Sequence, residues 1–236
     1  MITNSKSSAI PRLPSVLLAT AVITLLGNIS VLKAAPVRFL PLNQELADRK
    51  VGVQDNKGIT ELKDLNSKKR SKVYSCEIGE SPLHLVALDR QRPGGKPSGV
   101  EIAISPEMKS PLVLIFPNED EPSGLHAVAV EDSGDGFPWG SLRFVNTTER
   151  PFMIRTEKGV IEIPASFATV DINPEGEARN MGVQLYSEEN PDAVLYSAVW
   201  EHDPNLRKLI FILPSKNPAV KELTLEIIPQ DKRAND

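Results

Sequence analysis

Three histidines, one cysteine and several acidic clusters are the side chains of this chain that could do chemistry: His84, His126, His202, Cys76, Glu119–Glu121, Glu131–Asp135 and Glu201–Asp203. Two imidazoles beside a carboxylate make a metal site or a general acid–base pair. His84 and His126 each sit inside an apolar-flanked stretch that reads as a strand. They can meet only across neighbouring strands, or else each stands alone on a polar strand face. Glu201-His202-Asp203 follows Trp200 and precedes Pro204. It offers ligands or proton carriers, or simply a solvated strand exit. Glu131, Asp132 and Asp135 lie among glycines and supply oxygen atoms of the kind calcium takes. The twelve-residue calcium-loop spacing is absent, and a loop joining two β units accounts for them equally. Glu119-Asp120-Glu121 has the same standing.

Trp139, Trp200, Tyr186 and Tyr196 are the candidates for an aromatic platform, such as a glycan would stack on. On sandwich strands such rings are expected to fill the core or an interface edge; because Tyr196, Ala198 and Trp200 share one strand face, an exposed Tyr196–Trp200 pair is the alternative and the lead to a ligand surface. Cys76 lies within a strand pattern and is expected to be buried, since a single cysteine forms no internal disulfide. No G-x-S-x-G elbow, H-E-x-x-H helix or glycine-rich phosphate cradle is present, so no cofactor is implied. Asn146-Thr147-Thr148 has the form of a glycosylation acceptor. Lys68-Lys69-Arg70-Ser71-Lys72 reads as a processing site, a contact for an anionic surface, or a solvated linker end.

These residues need elements to hold them. The chain has 236 residues, 40% hydrophobic, with 20 prolines and a formal charge of −4. That is enough for one domain with a real core, or two small ones. Residues 1–34 hold Lys6, Arg12 and Lys33, no acid, and an uncharged run from Leu13 to Leu32. A basic start, an apolar stretch and small residues at 34–35 describe a signal peptide cleaved after Ala34. The alternative is a retained anchor, because twenty uncharged residues can span a bilayer of about 30 Å. Both readings place the rest outside the cytoplasm, secreted or periplasmic. Losing the three cations of the leader takes the charge to −7, which argues against nucleic acid as a partner.

Residues 35–72 mix charges of both signs with few apolar residues and read as a flexible polar linker. From Val73 the apolar period becomes two. Strands are expected at Val73–Ile78, Leu83–Leu88, Val100–Ile104, Leu112–Phe116, Leu125–Val130, Ser141–Asn146, Phe152–Arg155 and Ile161–Phe167. A phase slip at Ala168-Thr169 reads as a bulge or corner. Val170–Ile172, Met181–Tyr186, Ala193–Trp200, Lys208–Leu213 and Leu223–Ile228 complete the set. Leu209–Leu213 does not alternate, so it belongs at the centre, buried on both faces. The expectation is an all-β antiparallel sandwich of about 10–12 strands over residues 73–230, with no repeat of fixed period and a disordered tail at 231–236. The acidic, glycine-rich stretch near 132–138 leaves two small β units as the alternative.

Gly140-Ser141-Leu142-Arg143-Phe144-Val145-Asn146, an Ile-x-Ile-Pro strand, and Arg207–Pro214 after Trp200 resemble a group of uncharacterised secreted bacterial β proteins over about residues 139–229. That resemblance implies a β-sandwich and no particular activity. The Leu-Arg-Phe-x-Asn piece also resembles the core strand of cupredoxin-like domains, which, with Ig-like, is one of the two topologies expected. The copper pattern is absent: Cys76 precedes His84 by eight residues and no cysteine lies near His202. The functional expectation is therefore an exported, non-enzymatic sandwich for binding or assembly at the cell envelope, with a protein or glycan partner. A carbohydrate-binding module, or a metal or enzymatic site built from His84, His126, His202 and distant acids, is the alternative. Membrane contact is expected only through an uncleaved N-terminal segment.

Overall fold

A computed structural model describes Met1 and residues 33–78, 82–91, 94–215, 217 and 222–234. The leader and its cleavage site therefore lie almost wholly outside the described residues. The fold is an all-β sandwich architecture, and its topology shows an internal repeat. The first eight strands are β1 (Lys33–Pro41), β2 (Val51–Asp55), β3 (Gly58–Glu61), β4 (Tyr74–Ile78), β5 (Leu83–Gln91), β6 (Pro97–Ile102), β7 (Pro111–Pro117) and β8 (Leu125–Glu131). They form two sheets, ordered β4-β1-β7-β8 and β3-β2-β5-β6. The next eight are β9 (Leu142–Asn146), β10 (Phe152–Thr156), β11 (Gly159–Ile163), β12 (Thr169–Ile172), β13 (Arg179–Ser187), β14 (Asn190–His202), β15 (Leu206–Pro214) and β16 (Leu223–Asp231). Their sheets are β12-β9-β15-β16 and β11-β10-β13-β14. Adding eight to every label of the first pair of sheets gives the second pair.

The match extends to strand direction. β1 runs parallel to β7, and β9 runs parallel to β15, while every other pairing is antiparallel. Each repeat is a sandwich with its own core. Val37, Phe39, Val53, Leu85, Val113 and Ile115 fill the first. Phe144, Phe152, Ile154, Val183, Trp200 and Ile210 fill the second. A third cluster lies between them, built from Leu40, Leu112, Leu114, Phe116 and Val130 of one repeat and Val145, Leu209, Phe211 and Ile228 of the other. The two inner sheets are thus covered on both faces. This is why Leu112–Phe116 and Leu209–Leu213 are apolar at every position: alternate residues serve two different cores.

Four expectations are corrected. Residues 35–72 are not a linker: they contribute β1, β2 and β3, and Val37, Phe39, Leu40, Leu46 and Val51 are buried. Sparse hydrophobicity misled because nearly every apolar residue there faces inward. The strands number sixteen among the described residues, not ten to twelve, and they form two stacked sandwiches rather than one beginning at residue 73. A repeat is present, although it has no sequence period to betray it. The tail is ordered at its start, with Asp231 in β16 and a 3-10 turn at Lys232–Ala234. The phase slip near Ala168 is where the chain crosses from the β11 sheet to the β12 sheet, through Ser166 and Phe167, both at positive φ. Among the described residues no helix is long and apolar enough to cross a membrane.

Candidate functional site

The three histidines are on three different sheets. His84 is on β5, half-buried, with Nδ1 3.1 Å from the Pro82 carbonyl. His126 is on β8, packed against the rings of Phe116 and Phe167, and burial pushes its imidazole below its usual pKa. His202 is on β14, buried, with Nε2 3.4 Å from the Gly176 carbonyl. Among the described residues no three His, Cys, Asp or Glu side chains are grouped to hold a metal ion. The Glu201–Asp203 triplet does not converge either: Glu201 is exposed, His202 points inward, and Asp203 accepts from the Asn205 backbone N–H at 2.8 Å.

The aromatic platform is also corrected. Trp200 is 8% exposed, stacks on Phe144, and donates its Nε1–H to the Tyr196 hydroxyl at 3.0 Å. It fills the second core, and only Tyr196 reaches partly out. Trp139 is half-buried beneath the Arg207 guanidinium, 4.7 Å from its ring centre. Asn146 is fully buried, its amide donating to the Arg150 carbonyl at 2.7 Å, so the folded chain presents no acceptor there. Cys76 is buried, and desolvation pushes its thiol up to about 11. A thiol held neutral in this way is inert.

The acids of 131–135 are occupied by protein donors. Glu131 accepts from the backbone of Ser110 and Ser133, and Asp135 pairs with Lys109 at 2.7 Å. Asp132 lies at the seam between the repeats. Its carboxylate takes a two-pronged bond from Arg70, at 2.7 and 2.8 Å, and a third contact from Arg207 at 3.3 Å. Arg207 also donates to Gln230 Oε1 and to the Asp132 and Phe137 carbonyls, each at 2.9 Å. Burial, partly offset by Asp132, lowers the Arg207 pKa to about 10. The Phe137 ring lies between the guanidinium groups of Arg143 and Arg207, at 4.4 and 5.0 Å. Arg143 grips Asp171 with two bonds of 2.7 and 2.6 Å, and donates to the Glu131 and Gly136 carbonyls.

Above this saturated cluster opens a groove of about 480 Å³, lined by Arg38, Lys63, Asp64, Lys69, Arg70, Ser71, Lys72, Pro229 and Gln230. Arg70 spends its charge on Asp132. Arg38, Lys63, Lys69 and Lys72 have no ion-pair partner among the described residues. Among the described residues Asp64 is the only acid lining the groove. The wall is held in place from behind. Leu62 and Leu65 enter the first core, the Tyr74 hydroxyl accepts from the Lys63 backbone at 2.8 Å, and the Ser71 hydroxyl accepts from the Phe39 N–H at 2.9 Å. A preformed wall of this kind spends little ordering entropy on binding. The run Lys68–Lys72 was visible in the sequence. Arg38 and Lys63 join it only through the fold, and Lys68 leaves it to pair with Glu226.

Register shows what is unusual about Arg38. It pairs with Leu112 across β1 and β7, and Leu112 pairs with Val130. Arg143 pairs with Leu209 across β9 and β15, and Leu209 pairs with Ile228. The four apolar partners all belong to the seam cluster, so Arg38 and Arg143 hold the same place in their repeats. Opposite Arg143 on β12 stands Asp171. The β1–β4 ladder ends at the Val37–Tyr74 pair, and the next bond joins Phe39 to Ser71, leaving Lys72 and the 48%-exposed Val73, neither an acid, across from Arg38. One repeat supplies its arginine with a carboxylate; the other leaves it facing a groove. No protein-family profile and no curated protein matches this chain.

Proposed function

We propose that this is an exported, non-enzymatic protein that binds at the cell envelope, and that the groove over Arg38 is its ligand face. Its localisation rests on the leader pattern of residues 1–34. Its binding role rests on one observation: a chain of net charge −4 gathers, among the described residues, four cations without an ion-pair partner around one acid in a preformed groove. Like charges held together repel, and a fold bears that repulsion where an anionic partner relieves it. The ligand is anionic, and attraction of this kind weakens as salt rises.

The test uses the exported chain recovered from the cells that make it. Mixed with isolated envelope fragments at low salt, it is expected to sediment with them and to be released as salt is raised. The triple variant Lys63→Glu, Lys69→Glu, Lys72→Glu is expected to stay in solution. Equal sedimentation of the two proteins, or none by the parent, would overturn the assignment of the groove. Recovery of the chain in the cytoplasm would overturn the export reading.

A further inference from the structure

We infer that Arg38 is the anchor of a phosphate-binding site, with Lys63, Lys69 and Lys72 as its surrounding donors. This rests on the binding reading above and names the chemistry of the ligand. The repeat itself shows what an arginine in this place requires. At the equivalent position Arg143 donates two hydrogen bonds to the Asp171 carboxylate. Across from Arg38 lie Lys72 and Val73, neither an acid, and among the described residues Arg38 has no ion-pair partner. An oxyanion from a ligand supplies the missing counter-charge.

The surrounding cations decide between a carboxylate and a phosphate. A planar carboxylate is satisfied by one planar fork, as the Arg143–Asp171 pair shows. Here three lysines line the same groove, leaving a surplus of positive charge after Asp64 is counted. Ammonium groups are rotatable point charges that suit the three terminal oxygens of a tetrahedral, multiply charged group. The groove holds about 480 Å³, enough for a phosphate group together with part of what carries it. That phosphate comes either from a soluble phosphorylated molecule or from a lipid headgroup.

Two variants isolate the site without disturbing the core. Arg38→Gln removes the fork. Val73→Asp places a carboxylate on the segment across from Arg38 and supplies a counter-charge from within the chain. Titration of the exported chain with inorganic pyrophosphate, followed calorimetrically, reads the soluble source. Sedimentation with phosphatidylglycerol vesicles, against phosphatidylcholine vesicles, reads the headgroup. The parent is expected to bind in at least one arm, and each variant to weaken that binding by about tenfold or more, the loss of a charge-assisted hydrogen bond. Val73→Asp is expected to melt no lower than the parent, which separates loss of binding from loss of fold. Pyrophosphate binding without vesicle binding assigns a soluble ligand; vesicle binding displaced by pyrophosphate assigns the headgroup. Absence of binding in both arms, binding untouched by both variants, or citrate binding as tightly as pyrophosphate would overturn the phosphate site. If the envelope adsorption above persists while phosphate fails, the anionic groove stands and only its ligand changes.

Discussion

Arg38 and Arg143 occupy one position in two copies of the same eight-strand sandwich, yet they do different things. Arg143 is buried, its side chain 6% exposed, and it spends every face on the protein: Asp171, two carbonyls and the Phe137 ring. Arg38 is half-buried and lines an open groove with three further unpaired cations. The pairing with the central strand is shared, so the difference comes from the other side: Asp171 on β12 against Lys72 and Val73, which precede β4. The lesson is about how a repeat acquires a site. A duplicated scaffold holds a cation in place twice, and leaving one copy without its internal counter-charge turns a structural arginine into a recognition group.

The largest expected effect comes from the carboxylate that both repeats share. Asp132→Ala leaves Arg70 and Arg207 buried without a counter-charge, and is expected to cost about 3–5 kcal/mol of stability. Chemical denaturation measures it, and a loss under 1 kcal/mol would show that the seam cluster is dispensable. Asp171→Ala makes the second repeat resemble the first. It removes a two-pronged bond to a buried arginine, and the expected loss is about 1–3 kcal/mol. Asp171 is 37% exposed, which keeps that loss below the one at Asp132. The converse change, Val73→Asp, makes the first repeat resemble the second. A pair this exposed is worth about 0–1 kcal/mol, so a melting shift of at most a few degrees upward is expected.

The far end of the seam carries a smaller, pH-dependent effect. Burial among Phe116 and Phe167 holds the His126 pKa below the 6.5 of a free imidazole. The unfolded chain therefore binds the proton more readily. His126 contributes its full stability above about pH 6.5, and that contribution is lost as pH falls through its folded value. Melting curves from pH 8 to 5 should show a decline that His126→Phe makes shallower; an unchanged slope would remove His126 as its source. The smallest effect is at Cys76. Its buried, neutral thiol should resist alkylation in the native protein and react fully after denaturation. Rapid native alkylation would show that the first core opens.

Strand periodicity made most of the fold legible. Nearly every strand from residue 73 onward lies within a few residues of its expected place. The unbroken run at Leu209 correctly signalled a sheet with two covered faces, and the run at Leu112 has the same cause. The basic run 68–72 is plain in the sequence, which leaves a processing site, an anionic contact and a solvated linker end open. The remainder of the groove was not legible, because Arg38 and Lys63 lie outside that run and Pro229 and Gln230 come from the last strand. Trp200 misled for a related reason. A strand pattern says which residues share a face, but not which of two faces meets a second sheet.

What the sequence determined by itself is the all-β class, the inner runs and the supply of cations, because alternation and composition are local quantities. What only the tertiary structure decided is the pairing. Asp132 meets partners 62 and 75 residues away, and β9 lies against β15, more than sixty residues later. Such contacts depend on which strands become neighbours, and nothing in a local window records that choice. The eight-strand repeat belongs to the same category: it survives as strand order and direction, which backbone hydrogen bonding sustains with almost any alternating sequence. The unmatched arginine shows only once the two copies are laid on one another.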